Sequence, residues 1–147
     1  MSVSVVIVSD PGEESRAVDR GTTGLDLFGD DTSVVAMRGN GTTVDLATEL
    51  ADGDRVEPVL ATSGEGLAII RHSAAHVTAQ ALQELFPQAR LGIGPPITDG
   101  FYYDFKTDPL GPEDLKAIEK RMQAIIKQRQ RFVRRVVTEE QALAEEA

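Results

Sequence analysis

The stretch TSGEGLAIIRHSAAHVTAQALQELFP, residues 62–87, decides how the rest of the chain is divided. Thr62 and Glu65 have the spacing of a capping box, in which side chains and backbone amides pair at the start of a helix. Pro87 cannot continue a helix. Between these signals, apolar residues recur at steps of three and four, as along one face of an α-helix: Leu67, Ile70, Ala74, Val77, Ala81 and Leu85. The stretch therefore predicts a long helix with one apolar face.

The sequence before this helix alternates between short β-type runs and turn signals. β-branched residues favour strands, and they concentrate at residues 3–8, 34–37, 42–46 and 55–60, with a weaker run at 15–18. Gly39, Asn40 and Gly41 favour the positive φ angles of a tight hairpin. Pro58 favours a place on a sheet edge, and a short helix with a threonine cap is predicted at 25–28. This order of elements predicts a small β-grasp-like α+β unit.

The sequence after the long helix predicts a second unit that mixes strands and helices. The predicted elements are, in order, strands at 89–93 and 100–105 joined by a stiff proline-containing loop, a helix from Pro112 to about residue 130, a strand at 131–137, and a helix that is capped by Thr138 and reaches Ala147. We therefore predict an α+β fold with two domains, 1–62 and 63–147, divided near Ser63.

Charge is distributed unevenly along the chain, in agreement with two domains. Residues 1–66 hold 13 acids and 4 bases, whereas residues 67–147 hold 11 of each. The acidic half repels phosphate and is a poor candidate for strong nucleic-acid binding by itself. Residues 116–135 form a basic stretch, which serves either as a solvated helix face or as a contact for RNA. Its eight bases against one acid are Lys116, Lys120, Arg121, Lys127, Arg129, Arg131, Arg134 and Arg135 against Glu119.

Composition excludes several classes of function. The chain has no cysteine, so disulfides, thiolate catalysis and cysteine-based zinc sites are excluded. No run reaches the 18 or more apolar residues of a transmembrane helix, and the first residues, MSVSVVIV, lack the basic region of a secretory signal. These features predict a soluble cytoplasmic protein without a membrane partner.

The two histidines of the chain, His72 and His76, lie four residues apart in the predicted long helix. At about 100° per residue they share one side of the helix, away from the predicted apolar face. Two imidazoles on one face can position a water molecule and exchange its protons near neutral pH. They are too few for a usual zinc site, so we predict no bound metal. The alternative is a polar helix face without a catalytic role.

Three further motifs follow in a fixed order: EGLAIIRHSAAH at 65–76, LFP at 85–87 and LGIGPPITDGFYYDF at 91–105. Together they resemble the start of the editing domain of bacterial threonyl-tRNA synthetases. The resemblance continues through EDL at 113–115 and IEKRM at 118–122. The earlier segment NGTTVDL at 40–46 is more loosely similar to the ubiquitin-like TGS module that precedes editing in that family.

The resemblance implies a reaction and a set of site residues. In this family the editing site accepts the 3′ end of tRNA(Thr) and hydrolyses the ester when serine has been attached in place of threonine. A separate hydrolytic site is needed because the binding energy of one methylene group, only about 1–3 kcal/mol, is too small for a synthetic pocket to reject serine reliably. His72 and His76 match the two histidines of the family motif as catalytic residues. Gly94, through its backbone, and Tyr103, through its ring and hydroxyl, are expected to bind the substrate.

The resemblance also implies what the chain lacks. The family's editing site draws on a lysine, an acid and a cysteine–histidine pair farther along the chain, and the aminoacylation motifs are missing here as well. We therefore expect residues 63–147 to be an incomplete editing domain of a longer threonine–tRNA ligase. ATP, Mg and zinc belong to the absent catalytic domain, and none of them is a cofactor of this chain. By itself the chain should be inactive, and its oligomeric state is left open.

Two rival functions are compatible with the sequence. One is a regulatory module that binds a small ligand, RNA or a protein, with incidental histidines. The other is a free-standing hydrolase of the related alanyl-type editing family, which would need more metal ligands than the two histidines supply.

Overall fold

The computed structural model describes residues 1–146, and Ala147, which the predicted last helix reaches, lies outside the described residues. The first 60 residues form β1 (Ser2–Ser9), β2 (Gly12–Asp19), α1 (Gly24–Phe28), β3 (Val34–Gly39), β4 (Thr42–Val44) and β5 (Arg55–Leu60). The five strands build a mixed sheet in the order β2-β1-β5-β3-β4, in which only the central β1–β5 pair is parallel. This arrangement is a β-grasp topology and confirms the α+β prediction.

Alternation along the central strands builds the core of this sheet. Successive side chains of a strand point to opposite faces, so Val3, Val5 and Ile7 of β1 all face the core and are buried. Leu27 and Phe28 of α1 pack against the same cluster. The short helix is therefore held by the apolar face that the alternation creates, and its predicted threonine cap is confirmed at Thr23.

The hairpin between β3 and β4 follows the sequence prediction. Gly39 pairs with Thr42, which leaves Asn40 and Gly41 as a two-residue loop with φ angles of 51° and 84°. Positive φ at both loop positions is what a tight hairpin with matching strand twist requires.

The prediction that Pro58 lies on an edge strand is wrong, because β5 is the central strand of the sheet. Asn40 N donates to Arg55 O across the β3–β5 pair. Because only every second residue of an antiparallel strand bonds to the same neighbouring strand, the nitrogen of Pro58, three residues after Arg55, points away from β3. On that other side, the pairing with β1 ends at Val56. Proline is tolerated in a central strand here because no neighbour requires its amide.

The long helix α2 runs from Gly64 to Leu85, close to the predicted range. Its cap differs from the prediction: Ser63, not Thr62, is the N-cap, and its Oγ accepts from Gly66 N at 3.0 Å. Glu65 consequently takes no part in a capping box and is free to bond elsewhere.

The predicted apolar face of α2 is wrong in part. Leu67, Ile70 and Leu85 remain 40%, 40% and 38% exposed. The buried residues of α2 are mainly small, and helix α3 (Pro112–Lys127) packs on one side of α2. Ala75, Ala79 and Leu82 lie outside the predicted face, whereas Ala81 is buried as predicted. Ala81 and Leu82 pack with Ile118 and Ile125 of α3.

Two nested hairpins connect α2 to α3 in place of the two continuous strands that were predicted. The four short strands are β6 (Arg90–Leu91), β7 (Pro96–Ile97), β8 (Gly100–Phe101) and β9 (Phe105–Lys106), paired β6–β9 and β7–β8. Two backbone bonds, Gly92 N to Asp104 O at 2.7 Å and Asp104 N to Ile93 O at 2.9 Å, extend the outer pair. Pro95 and Pro96 have no amide hydrogen, so the ladder cannot continue through them.

The chain after α3 departs most from the prediction. The helix ends at Lys127, about three residues early, and Arg129 then adopts φ 49°. Residues 131–137 do not form a strand, since nothing in residues 1–146 pairs with them. The final helix α4 (Glu139–Glu146) has its predicted cap, with Thr138 N donating to Gln141 and Gln141 N donating back to Thr138.

Buried apolar residues gather in two separate clusters, one in the five-stranded sheet and one between α2 and α3. The domain limits 1–62 and 63–147 stay a prediction. No helix within residues 1–146 is long and apolar enough to cross a bilayer.

Candidate catalytic histidine pair

The rings of His72 and His76 meet on the surface of α2. Their Nε2 atoms are 3.0 Å apart, and the rings are stacked with centroids 4.8 Å apart and planes inclined by 27°. A hydrogen bond at this distance requires one Nε2 to carry a hydrogen and the other to accept it. Both residues are exposed, so the pair is open to solvent and to a substrate.

The position of the pair on α2 differs from the prediction. At about 100° per residue, His72 lies about 60° from the buried Ala75, and His76 lies about 60° from the buried Ala79. The histidines therefore flank the buried face and do not oppose it. As a result, a chain segment that leaves α3 can reach them.

Phe132, in the segment that follows α3, contacts the histidine pair. Its ring meets the ring of His76 edge to face, with centroids 6.4 Å apart and planes inclined by 65°. A cavity of about 270 Å³ lies beside this contact. Its wall consists of His76, Val77, Gln80, Ile125, Ile126 and residues 129–133. Sequence reasoning missed Phe132 because residues 131–137 were taken for a strand, although an aromatic residue inside a basic run was a signal.

The structure brings the other two predicted site residues, Gly94 and Tyr103, into contact with each other. A Cβ atom on Gly94 would lie 2.1 Å from Cδ2 of Tyr103, so only glycine fits against this ring. Tyr103 also stacks on Phe105, with centroids 4.8 Å apart. Neither Gly94 nor Tyr103 lines the cavity beside His76.

A backbone contact connects the inner hairpin to the histidine helix. Arg71, the neighbour of His72, donates from Nη1 to the carbonyl oxygen of Thr98. This bond holds the β7–β8 turn against α2, on which both short strands pack.

Ionic hydrogen bonds tie α2 to the five-stranded sheet at one end. Thr43 Oγ1 and Arg38 Nη2 both donate to the carboxylate of Glu65, and Arg38 Nη1 also donates to Glu57 at 2.7 Å. The bond from Thr43, followed by that from Arg38, lowers the pKa of Glu65 below its ordinary value. Glu65 lies two helical turns before His72, so this contact fixes the start of the helix that carries the pair.

A second ionic contact ties α2 to α3. Arg121 Nε donates to Glu84, which also accepts from Gln80 at 3.0 Å. These bonds, Arg121 first, lower the pKa of Glu84.

The pair has the chemistry of proton transfer. One imidazole can accept a proton from water while its partner orients it. For metal binding, no group of three or more histidine, aspartate or glutamate side chains gathers anywhere in the described residues. The prediction that no metal binds here stays a prediction.

Comparison with known proteins identifies relatives over nearly the whole chain, although no protein-family model matches it. A threonine–tRNA ligase of Cutibacterium acnes is 59% identical over 146 residues, which are 99% of this chain and 21% of that protein. The chain is homologous to part of the threonine–tRNA ligases. The ligase of Streptomyces avermitilis is 59% identical over 144 residues, and that of Bifidobacterium longum strain DJO10A is 58% identical over 135 residues. These matches cover 97% and 91% of this chain but 22% and 20% of those proteins.

The resemblance seen in the motifs is thereby confirmed at the level of the ligase. The chain spans about a fifth of the length of the curated relatives it matches. The names of these relatives identify them as threonine–tRNA ligases and do not mention editing.

Proposed function

We propose that this chain contributes to the hydrolysis of mischarged seryl-tRNA(Thr), as part of a threonine–tRNA ligase that acts in the cytoplasm. The observation that carries the proposal is the solvent-open His72–His76 pair, with 3.0 Å between its Nε2 atoms, in a chain homologous to these ligases. In this proposal residues 1–62 act as a TGS module, residues 63–147 supply part of the editing domain, and aminoacylation takes place elsewhere in the ligase.

The pair supplies the proton transfers that ester hydrolysis needs. One imidazole accepts a proton from the water whose oxygen attacks the ester carbonyl carbon. The bond between that carbon and the ribose oxygen then breaks, and the proton passes to the ribose oxygen. The products are serine and tRNA with a free 3′ end. The second imidazole, through the Nε2 contact, holds the first in the required tautomer.

Gly94 and Tyr103 are proposed to bind the substrate near this pair. Their mutual contact gives the inner hairpin a fixed shape, and the Arg71 bond places that hairpin against α2. A polar site of this kind can act on seryl esters that a synthetic pocket fails to reject, since the absence of one methylene costs that pocket only about 1–3 kcal/mol.

The test uses the complete ligase that carries this chain, with His72→Ala and His76→Ala introduced separately. We expect deacylation of seryl-tRNA(Thr) to slow by about 10²–10⁴-fold, which is the usual contribution of a general acid or base. Threonylation should stay close to the wild-type rate, because it occurs at another site. Gln83→Ala, at an exposed position of the same helix, is the matched control. Loss of threonylation in parallel with deacylation, or unfolding of either variant, would show that the histidines are structural.

A further inference from the structure

Strand β2 is the longer of the two edge strands of the five-stranded sheet, and seven of its eight residues are exposed. All eight residues pair with β1 without a bulge, whereas no strand in residues 1–146 pairs with the other side of β2. Proline and bulges, which commonly block such an edge, are absent from this strand. The outer side of β2 is therefore a continuous row of backbone donors and acceptors.

The pairing with β1 determines which backbone groups of β2 point outward. Arg20 N donates to Met1 O at 3.0 Å, one residue pair beyond the β1–β2 ladder. Only every second residue of an antiparallel strand bonds to the same neighbour, so the even-numbered residues of β2 bond to β1. The amides and carbonyls of Glu13, Ser15 and Ala17 consequently point away from β1, with the spacing that a further strand requires.

The charges on β2 are complementary to those of a second copy of the same strand. When two copies lie antiparallel with Ser15 opposite Ser15, Glu14 of each copy faces Arg16 of the other. These positions are not hydrogen-bonded across the pair, and at such positions the side chains lie closest. Within one strand, Arg16 Nη2 already lies 3.1 Å from Glu14 Oε1. Two copies thus bring four charges of alternating sign together, and opposite charges that face each other stabilise a sheet.

The same charges disfavour the neighbouring registers. Sliding one strand by two residues places Glu14 opposite Glu14 or Arg16 opposite Arg16, and like charges directly opposite each other destabilise a sheet. Sliding it by four residues places Glu13 opposite Glu13, or Glu14 opposite Arg20, which lies in the turn beyond β2. The register centred on Ser15 is therefore the one in which the strand itself is self-complementary.

We propose that two copies of this chain associate through the outer edge of β2, as a two-fold symmetric antiparallel pair centred on Ser15. The two five-stranded sheets then become one continuous sheet, with backbone bonds at Glu13, Ser15 and Ala17 and ion pairs between Glu14 and Arg16. A two-fold contact of this kind uses the same surface on both copies and closes at the dimer. The histidine pair takes no part in it, so this inference does not depend on the proposed function.

The overall charge of the chain sets the conditions under which the dimer forms. A net charge of −9 makes two copies repel each other at long range. At about 0.15 M salt the Debye length is about 8 Å, so this repulsion is screened, whereas charges in direct contact still attract. One pair of strands buries little surface, so the dimer is weak and depends on protein concentration.

The test measures the sedimentation of the full chain from micromolar to millimolar concentrations, at about 0.15 M salt. The wild type should show an equilibrium between monomer and dimer. Ser15→Pro removes an outward amide, which an edge strand tolerates, and should leave only monomer. Ser15→Ala keeps the amide and should dimerise within about twofold of the wild type. Circular dichroism checks that each variant is folded.

An exchange of charges tests the register independently of the proline variant. Glu14→Arg puts arginine opposite Arg16, and Arg16→Glu puts glutamate opposite Glu14, so each variant alone should dimerise at least about tenfold more weakly. Mixed in equal amounts, the two variants should form a heterodimer about as stable as the wild-type dimer, because every facing pair again has opposite signs. Arg20→Gln, which removes a positive charge outside the contact, is the matched control and should dimerise within about twofold of the wild type.

Several outcomes would overturn the proposal. A wild-type chain that stays monomeric at millimolar concentration excludes the dimer, and a dimer that persists in folded Ser15→Pro does not use the edge of β2. If Arg20→Gln weakens the dimer as much as Arg16→Glu does, the register centred on Ser15 is wrong. If the mixture of Glu14→Arg and Arg16→Glu stays as weak as either variant alone, these residues do not face each other.

Discussion

Gly66 stands where α2 touches the end of β5, and it gives the sharpest test of how the two halves of the chain join. A Cβ atom on this residue would lie 1.9 Å from the carbonyl oxygen of Leu60 and 2.7 Å from its carbonyl carbon. Both atoms belong to the backbone, so no side chain can rotate away. The helix and the strand would have to separate by roughly 1 Å or more to restore ordinary contact.

The expected magnitude follows from two opposing effects. Alanine within a helix is favoured over glycine by about 0.5–1 kcal/mol. Overpacking costs about 1–3 kcal/mol, and the rigid neighbour places Gly66→Ala at the upper end. We therefore expect the free energy of unfolding to fall by about 2 kcal/mol. Gly64→Ala lies in the same turn with nothing within 4 Å of its Cβ, so this control should be neutral or stabilising by up to about 1 kcal/mol.

Urea unfolding of the two variants and the wild type, followed by circular dichroism, provides the measurement. The order of midpoints should be Gly66→Ala lowest, wild type next, and Gly64→Ala equal to or above the wild type. If Gly66→Ala unfolds at the same urea concentration as Gly64→Ala, the close approach of α2 to β5 is not present in solution. The reasoning about the junction would then be refuted.

Two further predictions concern charge and metal. The hydrogen bond from Thr43, followed by that from Arg38, lowers the pKa of Glu65 in the folded protein. These bonds therefore stabilise the fold fully above the ordinary pKa of 4.5, and their contribution is lost as the pH falls through the folded pKa. Urea midpoints measured against pH should show this loss of stability in acid for the wild type and a smaller loss for Glu65→Gln. Elemental analysis of chain purified without added metal should find no stoichiometric zinc, because two imidazoles are one ligand short of a usual catalytic site; zinc that disappears in His76→Ala would contradict this.

Elements that depend on interactions between residues close together in the sequence formed as predicted. The Asn40–Gly41 hairpin needs only two positive φ angles, and both residues adopt them readily. The cap of α4 at Thr138 likewise depends on a partner three residues away. In such cases the deciding interaction lies inside the window from which the prediction is made.

Predictions failed where a distant partner decides the outcome. The periodicity of α2 gave weight to Leu67 and Ile70 because they are large, but tertiary packing left both of them 40% exposed. Ala75 and Ala79, which the periodicity did not select, are buried instead. Pro58 was assigned to an edge because its register against β1 and β3 is not visible in the sequence. Residues 131–137 have the composition of a strand, but a strand forms only when another strand supplies its hydrogen bonds.

The same failures explain how the candidate site is assembled. Val77, Ala81 and Leu82 of α2 pack with Ile118 and Ile125 of α3, and Val77 directly follows His76, so the second half of α3 lies beside the histidine pair. Arg129 then takes the left-handed conformation at the position after the helix cap, where glycine is usual and other residues pay about 1–2 kcal/mol. That turn directs the chain back over α2, so that Phe132 meets His76. The early end of α3 and the unpaired segment after it are therefore what bring an aromatic ring and two arginines to the histidine pair.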